Sequence, residues 1–103
     1  MYSENQRRGK LGETILQMAL LEKGFMVFFP ISSQGPIDLV ALSPGGVTHF
    51  FDAKVERFRS KPGRKKPDRV YRVRSRLQKD LCVHIAYVDI YKKTVHFVPP
   101  LEV

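Results

Sequence analysis

A single cysteine, Cys82, serves the whole 103-residue chain. One thiol makes no intrachain disulfide and no cysteine-rich zinc site, which excludes the small disulfide-stapled scaffolds and predicts an intracellular, cytoplasmic setting. Long apolar runs are also missing. The longest, Phe25 to Ile31 and Leu81 to Val88, fall short of the roughly 20 residues a bilayer requires, and the second contains His84. No membrane-spanning role is expected. No apolar stretch follows Arg7 and Arg8, so no secretory signal is expected either. Repeats and low-complexity tracts are absent, and 43% hydrophobic with 27% charged residues excludes wholesale disorder and collagen-like architectures. The length allows one core, because a second would need about 50 residues of its own. A single domain over residues 1–103 follows.

Acidic residues are scarce in one region. Between Arg57 and Lys79 lie 11 of the 18 cations, namely Arg57, Arg59, Lys61, Arg64, Lys65, Lys66, Arg69, Arg72, Arg74, Arg76 and Lys79, against Asp68 alone. The remaining 7 cations face 9 acids, so the net charge of +8 is concentrated in this basic connecting segment. Such a run can be a solvated loop. Pro62, Gly63 and Pro67 prevent it from forming one continuous helix, and it directly follows the chemically most unusual segment. A polyanionic partner gripped through its phosphates, DNA above all, is the expectation.

The local signals describe an α/β or α+β domain. Ser3 and Gln6 have the spacing of a capping box that starts a helix near Glu4, and Gly24 closes it. Helical phase puts Leu11, Ile15, Met18 and Ala19 on one stripe, with Leu16 and Leu20 on another that also carries Glu13. Strands are expected at Phe25–Phe29, Ile37–Leu42 and Val47–Val55, the last two joined by a hairpin at Ser43-Pro44-Gly45-Gly46. Tyr71–Arg74 reads as extended, and Ser75 caps a helical turn to Asp80. Leu81–Ile90 and Val95–Val98 complete about five strands, with Pro99 and Pro100 ending the last.

Three acids and a lysine stand out. Asp38 interrupts an apolar strand, where an unpartnered carboxylate is costly. Asp52 and Lys54, two apart on a strand, leave the same face. Glu13 points toward the sheet if its stripe packs there. Taken singly, Asp52 and Lys54 read as an ordinary ion pair and Asp38 as a turn cap. Taken together, three converging carboxylates would repel unless a multivalent cation neutralised them. Hard oxygen donors without paired histidine or cysteine favour Mg²⁺, with Mn²⁺ able to substitute, and thereby phosphodiester chemistry assisted by Lys54.

Glu13, Pro36-Ile37-Asp38, a hairpin and Asp52-Ala53-Lys54 together resemble the PD-(D/E)xK nuclease signature, with Ile37 inserted after the proline and aspartate in place of glutamate. The resemblance covers roughly residues 7–56. Arg8-Gly9-Lys10-Leu11-Gly12-Glu13 with Lys23-Gly24-Phe25-Met26-Val27 is similar to archaeal-type Holliday junction resolvases and to the nuclease domain of group I intron-associated homing endonucleases. The resemblance implies a restriction-endonuclease-like core, a mixed sheet flanked by helices. It implies metal held by Asp38, Asp52 and the Ala53 carbonyl, with Glu13 in some relatives, and in-line hydrolysis aided by Lys54. It also implies a further Gln or basic residue on the helix after the x-Lys strand, for which Gln78 is the available match. A virus- or mobile-element-encoded origin agrees with it.

The expected function is therefore a metal-dependent DNA endonuclease acting on branched DNA such as Holliday junctions, with a sequence-specific or generic duplex endonuclease as the alternative. A DNA-binding module without cleavage is the alternative from another class. Arg7, Arg8 and Lys10 join the basic segment as DNA contacts, and Ser33 is a further candidate that turn formation explains equally well. One centre per chain makes a homodimer or higher oligomer the expected working form. His49, His84 and His96 lack metal spacing and read as packed or solvent-facing, and Cys82 as a small core residue.

Overall fold

The computed structural model describes residues 3–32, 35–59, 68–70 and 74–101. Helix α1, Glu4–Glu22, starts at the capping box: Ser3 Oγ accepts from the Gln6 N–H, and the Gln6 side chain accepts from the Ser3 N–H. Gly24 ends it with φ +84°, a conformation that favours glycine. Strands β1 (Met26–Phe28), β2 (Leu39–Leu42) and β3 (Thr48–Val55) run antiparallel in succession, β2 and β3 through the Ser43–Gly46 turn. The chain then passes through β4 (Arg57–Arg59), β5 (Asp68–Val70) and helix α2 (Arg76–Asp80) before β6 (Val83–Asp89) and β7 (Thr94–Val98).

The main sheet has the order β1-β2-β3-β6-β7 and is mixed, because β6 lies parallel to β3 while β7 is antiparallel to β6. A parallel neighbour requires a crossover, which is supplied by the segment between Glu56 and Cys82. The expected five-strand sheet with a long N-terminal helix and a short helix after the third strand is the observed architecture. β6 lies inside the sheet, so Val83, Ile85, Ala86, Tyr87 and Val88 are buried on both faces.

Register assigns the two faces. Leu39, Ala41, Phe51, Ala53, Ala86, Val88 and Phe97 pack with Ile15, Leu16 and Leu20 of α1. Asp52 and Lys54 alternate to the opposite face, where α2 lies. Helix and sheet approach closely at Gly12: a Cβ there would lie 3.2 Å from Val55 Cγ2.

Several expectations need correction. Leu11 and Met18 are exposed, because α1 meets one sheet face only and buries the narrower set Gly12, Ile15, Leu16 and Leu20. The second strand begins at Leu39, so Asp38 precedes it and does not interrupt it. The basic segment is more than a connection: β4 and β5 pair antiparallel with Arg57 opposite Val70 and Arg59 opposite Asp68. The extended segment expected at Tyr71–Arg74 lies outside the described residues up to position 73, and Arg74 is not in a strand. Cys82 is exposed, in a turn with φ +57° that leads from α2 into β6. Among the described residues, no helix is long and apolar enough to cross a membrane.

Candidate active site

The pairing of β2 with β3 ends at Leu39 opposite Phe51, which puts Asp38 opposite Asp52 one step further. The Asp38 N–H donates to the Phe51 carbonyl at 2.8 Å, and Asp38 Oδ2 accepts from the Ala53 N–H at 2.9 Å. The carboxylate thus takes the place of the next rung of the ladder and satisfies an amide that β2 no longer reaches.

Asp52 is 8% exposed and, besides Asp38, has two side-chain partners. Its Oδ2 accepts from Gln78 Nε2 at 2.8 Å, and its Oδ1 lies 3.4 Å from Lys54 Nζ. Gln78 is aimed by the start of α2. Its Oε1 accepts from the Ser75 N–H and its own N–H donates to Ser75 Oγ, both at 3.1 Å, a second capping box. The free end of the amide then reaches both Asp52 and the Pro36 carbonyl, the latter at 3.1 Å. One buried side chain ties the crossover helix to both acidic segments.

The apposition has an electrostatic signature. The Asp38 carboxyl is pushed up to about 6, first by burial and then by a hydrogen bond with Asp52, with repulsion from Asp52 and Glu13 adding to the rise and the Ala53 N–H opposing it. Glu13 is near enough to act on Asp38, but α1 covers the face opposite Asp52. It pairs with Lys10 at 3.6 Å, and both line a cleft of about 340 Å³ that Asp38 also lines. The expected convergence of four groups is therefore a close set of Asp38, Asp52 and Lys54, with Glu13 on the cleft wall beside Asp38. Among the described residues, no three His, Cys, Asp or Glu side chains are grouped so as to hold a metal ion.

The expected DNA contacts are spread over several elements. Arg7 pairs with Glu4 at 2.7 Å, Arg8 lies on the next position of α1, and Arg76 opens α2 exposed to solvent. Arg57, Arg59 and Arg69 belong to the β4–β5 ribbon, and Arg74 donates to the Val83 carbonyl at 3.1 Å. Lys61, Arg64, Lys65, Lys66, Arg72 and Ser33 lie outside the described residues. His49 and His84 stand in an aromatic cluster, ring centres 5.7 Å apart, beside Phe51. Burial, then His84, lowers the pKa of His49.

Two features escaped the sequence reading in part. The ribbon was signalled by Phe58 and Val70 on either side of Pro62 and Gly63 in the sequence, but the charge around them masked the pattern. Gln78 was signalled by the Ser75-x-x-Gln78 spacing, which predicts its place at a helix start and says nothing of Asp52.

No family model matches the chain, and no curated protein matches it. Among solved structures, a nuclease carries the same fold. It is a bacterial homing endonuclease, I-Ssp6803I, which superposes with a TM-score of 0.64 over 92% of this chain and 68% of its own, at 16% identity. The chain thus has a nuclease-like α/β fold.

Proposed function

We propose that the chain is a metal-dependent DNA endonuclease of the PD-(D/E)xK type. The observation that carries this reading is the opposition of Asp38 and Asp52 where β2 leaves β3, with Lys54 Nζ 3.4 Å from Asp52. The nuclease-like fold and the charge of +8 support it.

The donor set fits Mg²⁺. Two facing carboxylates and a backbone carbonyl are hard oxygen ligands, and Mg²⁺ commonly takes one or two carboxylates with water and phosphate oxygens in the remaining positions. Burial first, and then Asp52 and Glu13, disfavour the charged form of Asp38, a penalty that a divalent cation would relieve. Asp38, Asp52 and the Ala53 carbonyl would hold the ion, with Glu13 alongside; Mn²⁺ would serve in its place. When bound, such an ion supplies Lewis acidity toward water and the phosphate oxygens.

The protein's own residues do the rest. The Ala53 N–H engages Asp38 Oδ2 and Gln78 engages Asp52 Oδ2, which keeps both carboxylates in place beside the ion. Lys54 carries a cation to the same point and stabilises negative charge that develops on the phosphate in the transition state. The basic residues hold the flanking backbone through phosphate contacts. Two copies are needed to cut two strands, so the working form is a homodimer or higher oligomer. The target is branched DNA such as a Holliday junction, or a site in duplex DNA; likeness to a homing endonuclease favours the second.

The test is cleavage of plasmid and four-way junction DNA with Mg²⁺ or with EDTA. Wild type should cut only with the metal, and Asp38→Asn or Asp52→Asn should abolish cutting while retaining or raising metal-free DNA affinity. Binding without metal-dependent scission would instead identify a DNA-binding module.

A further inference from the structure

The segment that leaves β1 is apolar and faces solvent. Phe29 is 54% exposed and Ile31 is 106% exposed, a costly arrangement for side chains that fold no core. Pro30 between them fixes φ and stiffens the link. Its N-terminal side is anchored, because Phe28 pairs with Val40 in the sheet. Phe29, Pro30 and Ile31 line the 340 Å³ cleft that Lys10, Glu13 and Asp38 also line.

The occupant of this cleft follows from its lining. Asp38 is one of the two carboxylates of the candidate centre, so whatever enters the cleft reaches that centre. A protein partner seated there would close it off. A nucleic acid matches both parts of the lining: its phosphates go to the cation-bearing and metal-binding groups, and its apolar surfaces are the base faces and sugars. An apolar wall beside a phosphate-cutting centre is suited to a base step next to the scissile bond. Resting on the nuclease reading, we infer that Phe29 and Ile31 form a wedge that packs against, and partly unstacks, the base adjacent to the cleaved phosphate.

The experiment uses full-length protein without metal and a panel of duplexes and four-way junctions carrying 2-aminopurine at successive steps. Wild type should raise the fluorescence severalfold at one or two adjacent steps. Phe29→Ala with Ile31→Ala should lose that rise and weaken binding by roughly 5- to 150-fold, the range that removal of a base–aromatic stack produces. Phe29→Leu should retain part of both. A mismatch placed at the responding step should restore the double variant, because the unstacking is then already done. Both side chains are exposed, so thermal melts should match wild type.

The outcomes separate. Binding and cutting with no fluorescence rise at any step overturns the wedge and leaves the nuclease reading intact. A localised rise, with no cutting of the same DNA once Mg²⁺ is added, supports the wedge and overturns the nuclease. Equal losses for the double variant on paired and mismatched DNA overturn the wedge. A fall in oligomeric mass for the double variant, by light scattering, assigns this wall to a contact between copies and overturns it as well. Failure of wild type to bind any of the DNAs overturns both readings.

Discussion

Gln78 Nε2 donates to Asp52 Oδ2 at 2.8 Å across 26 positions of sequence, and through that hydrogen bond the short helix α2 sets the orientation of a carboxylate on β3. Gln78→Ala leaves Asp52 buried with one partner fewer. Removing a partner from a buried carboxylate costs about 1–3 kcal/mol of stability, and removing a group that orients a ligand typically weakens metal affinity roughly 10- to 100-fold. The half-saturating Mg²⁺ concentration for cleavage should rise by that factor, and calorimetric titration of Mg²⁺ checks it independently of turnover.

The Asp38 carboxyl titrates near 6 in the folded chain against an ordinary 3.8, so the folded state binds this proton more tightly than the unfolded state does. Its contribution to stability is fully present below pH 3.8 and is lost as pH rises through about 6. In EDTA, the melting temperature of wild type relative to Asp38→Asn should therefore fall across that window. Mg²⁺ should restore the wild type above pH 6 and leave Asp38→Asn unaffected. A pH-independent difference between the two proteins would refute the raised Asp38 pKa.

Gly12 sets how closely α1 lies on the sheet. In Gly12→Ala the added Cβ meets Val55 Cγ2 at 3.2 Å, a contact that Val55 must yield to by a few tenths of an ångström, while the helix gains up to about 1 kcal/mol in propensity. The two effects nearly offset. Gly12→Leu has no such offset and should destabilise by roughly 1–3 kcal/mol through overpacking, measured by denaturant unfolding.

If the basic segment grips the DNA backbone, its cations act by releasing condensed counterions. Replacing Arg64, Lys65 and Lys66 with Ser should reduce the slope of log affinity against log salt by about 0.9 for each phosphate that is no longer neutralised. Cleavage at saturating protein and Mg²⁺ should survive, since Asp38, Asp52 and Lys54 lie outside the altered positions. An unchanged slope would assign the grip to other residues.

The sequence by itself determined whatever depends on near neighbours. The Ser3–Gln6 capping box, the Ser75 cap, the Ser43–Gly46 hairpin, the shared face of Asp52 and Lys54 and the concentration of charge between residues 57 and 79 follow from spacing, because helix and strand periodicity act over a few residues. Tertiary structure alone decided how these pieces meet. Asp38 stands opposite Asp52 because β2 begins at Leu39, opposite Phe51, while β3 runs on to Val55. Gln78 reaches Asp52 because the crossover to β6 lays α2 on that face of the sheet. Glu13 stays on the cleft wall because α1 covers the opposite face, where Gly12 lets it approach Val55. Local preferences choose the elements, but only burial of the shared core fixes which faces turn toward each other. A site assembled from the loop before one strand, the interior of another and a crossover helix is therefore set by packing.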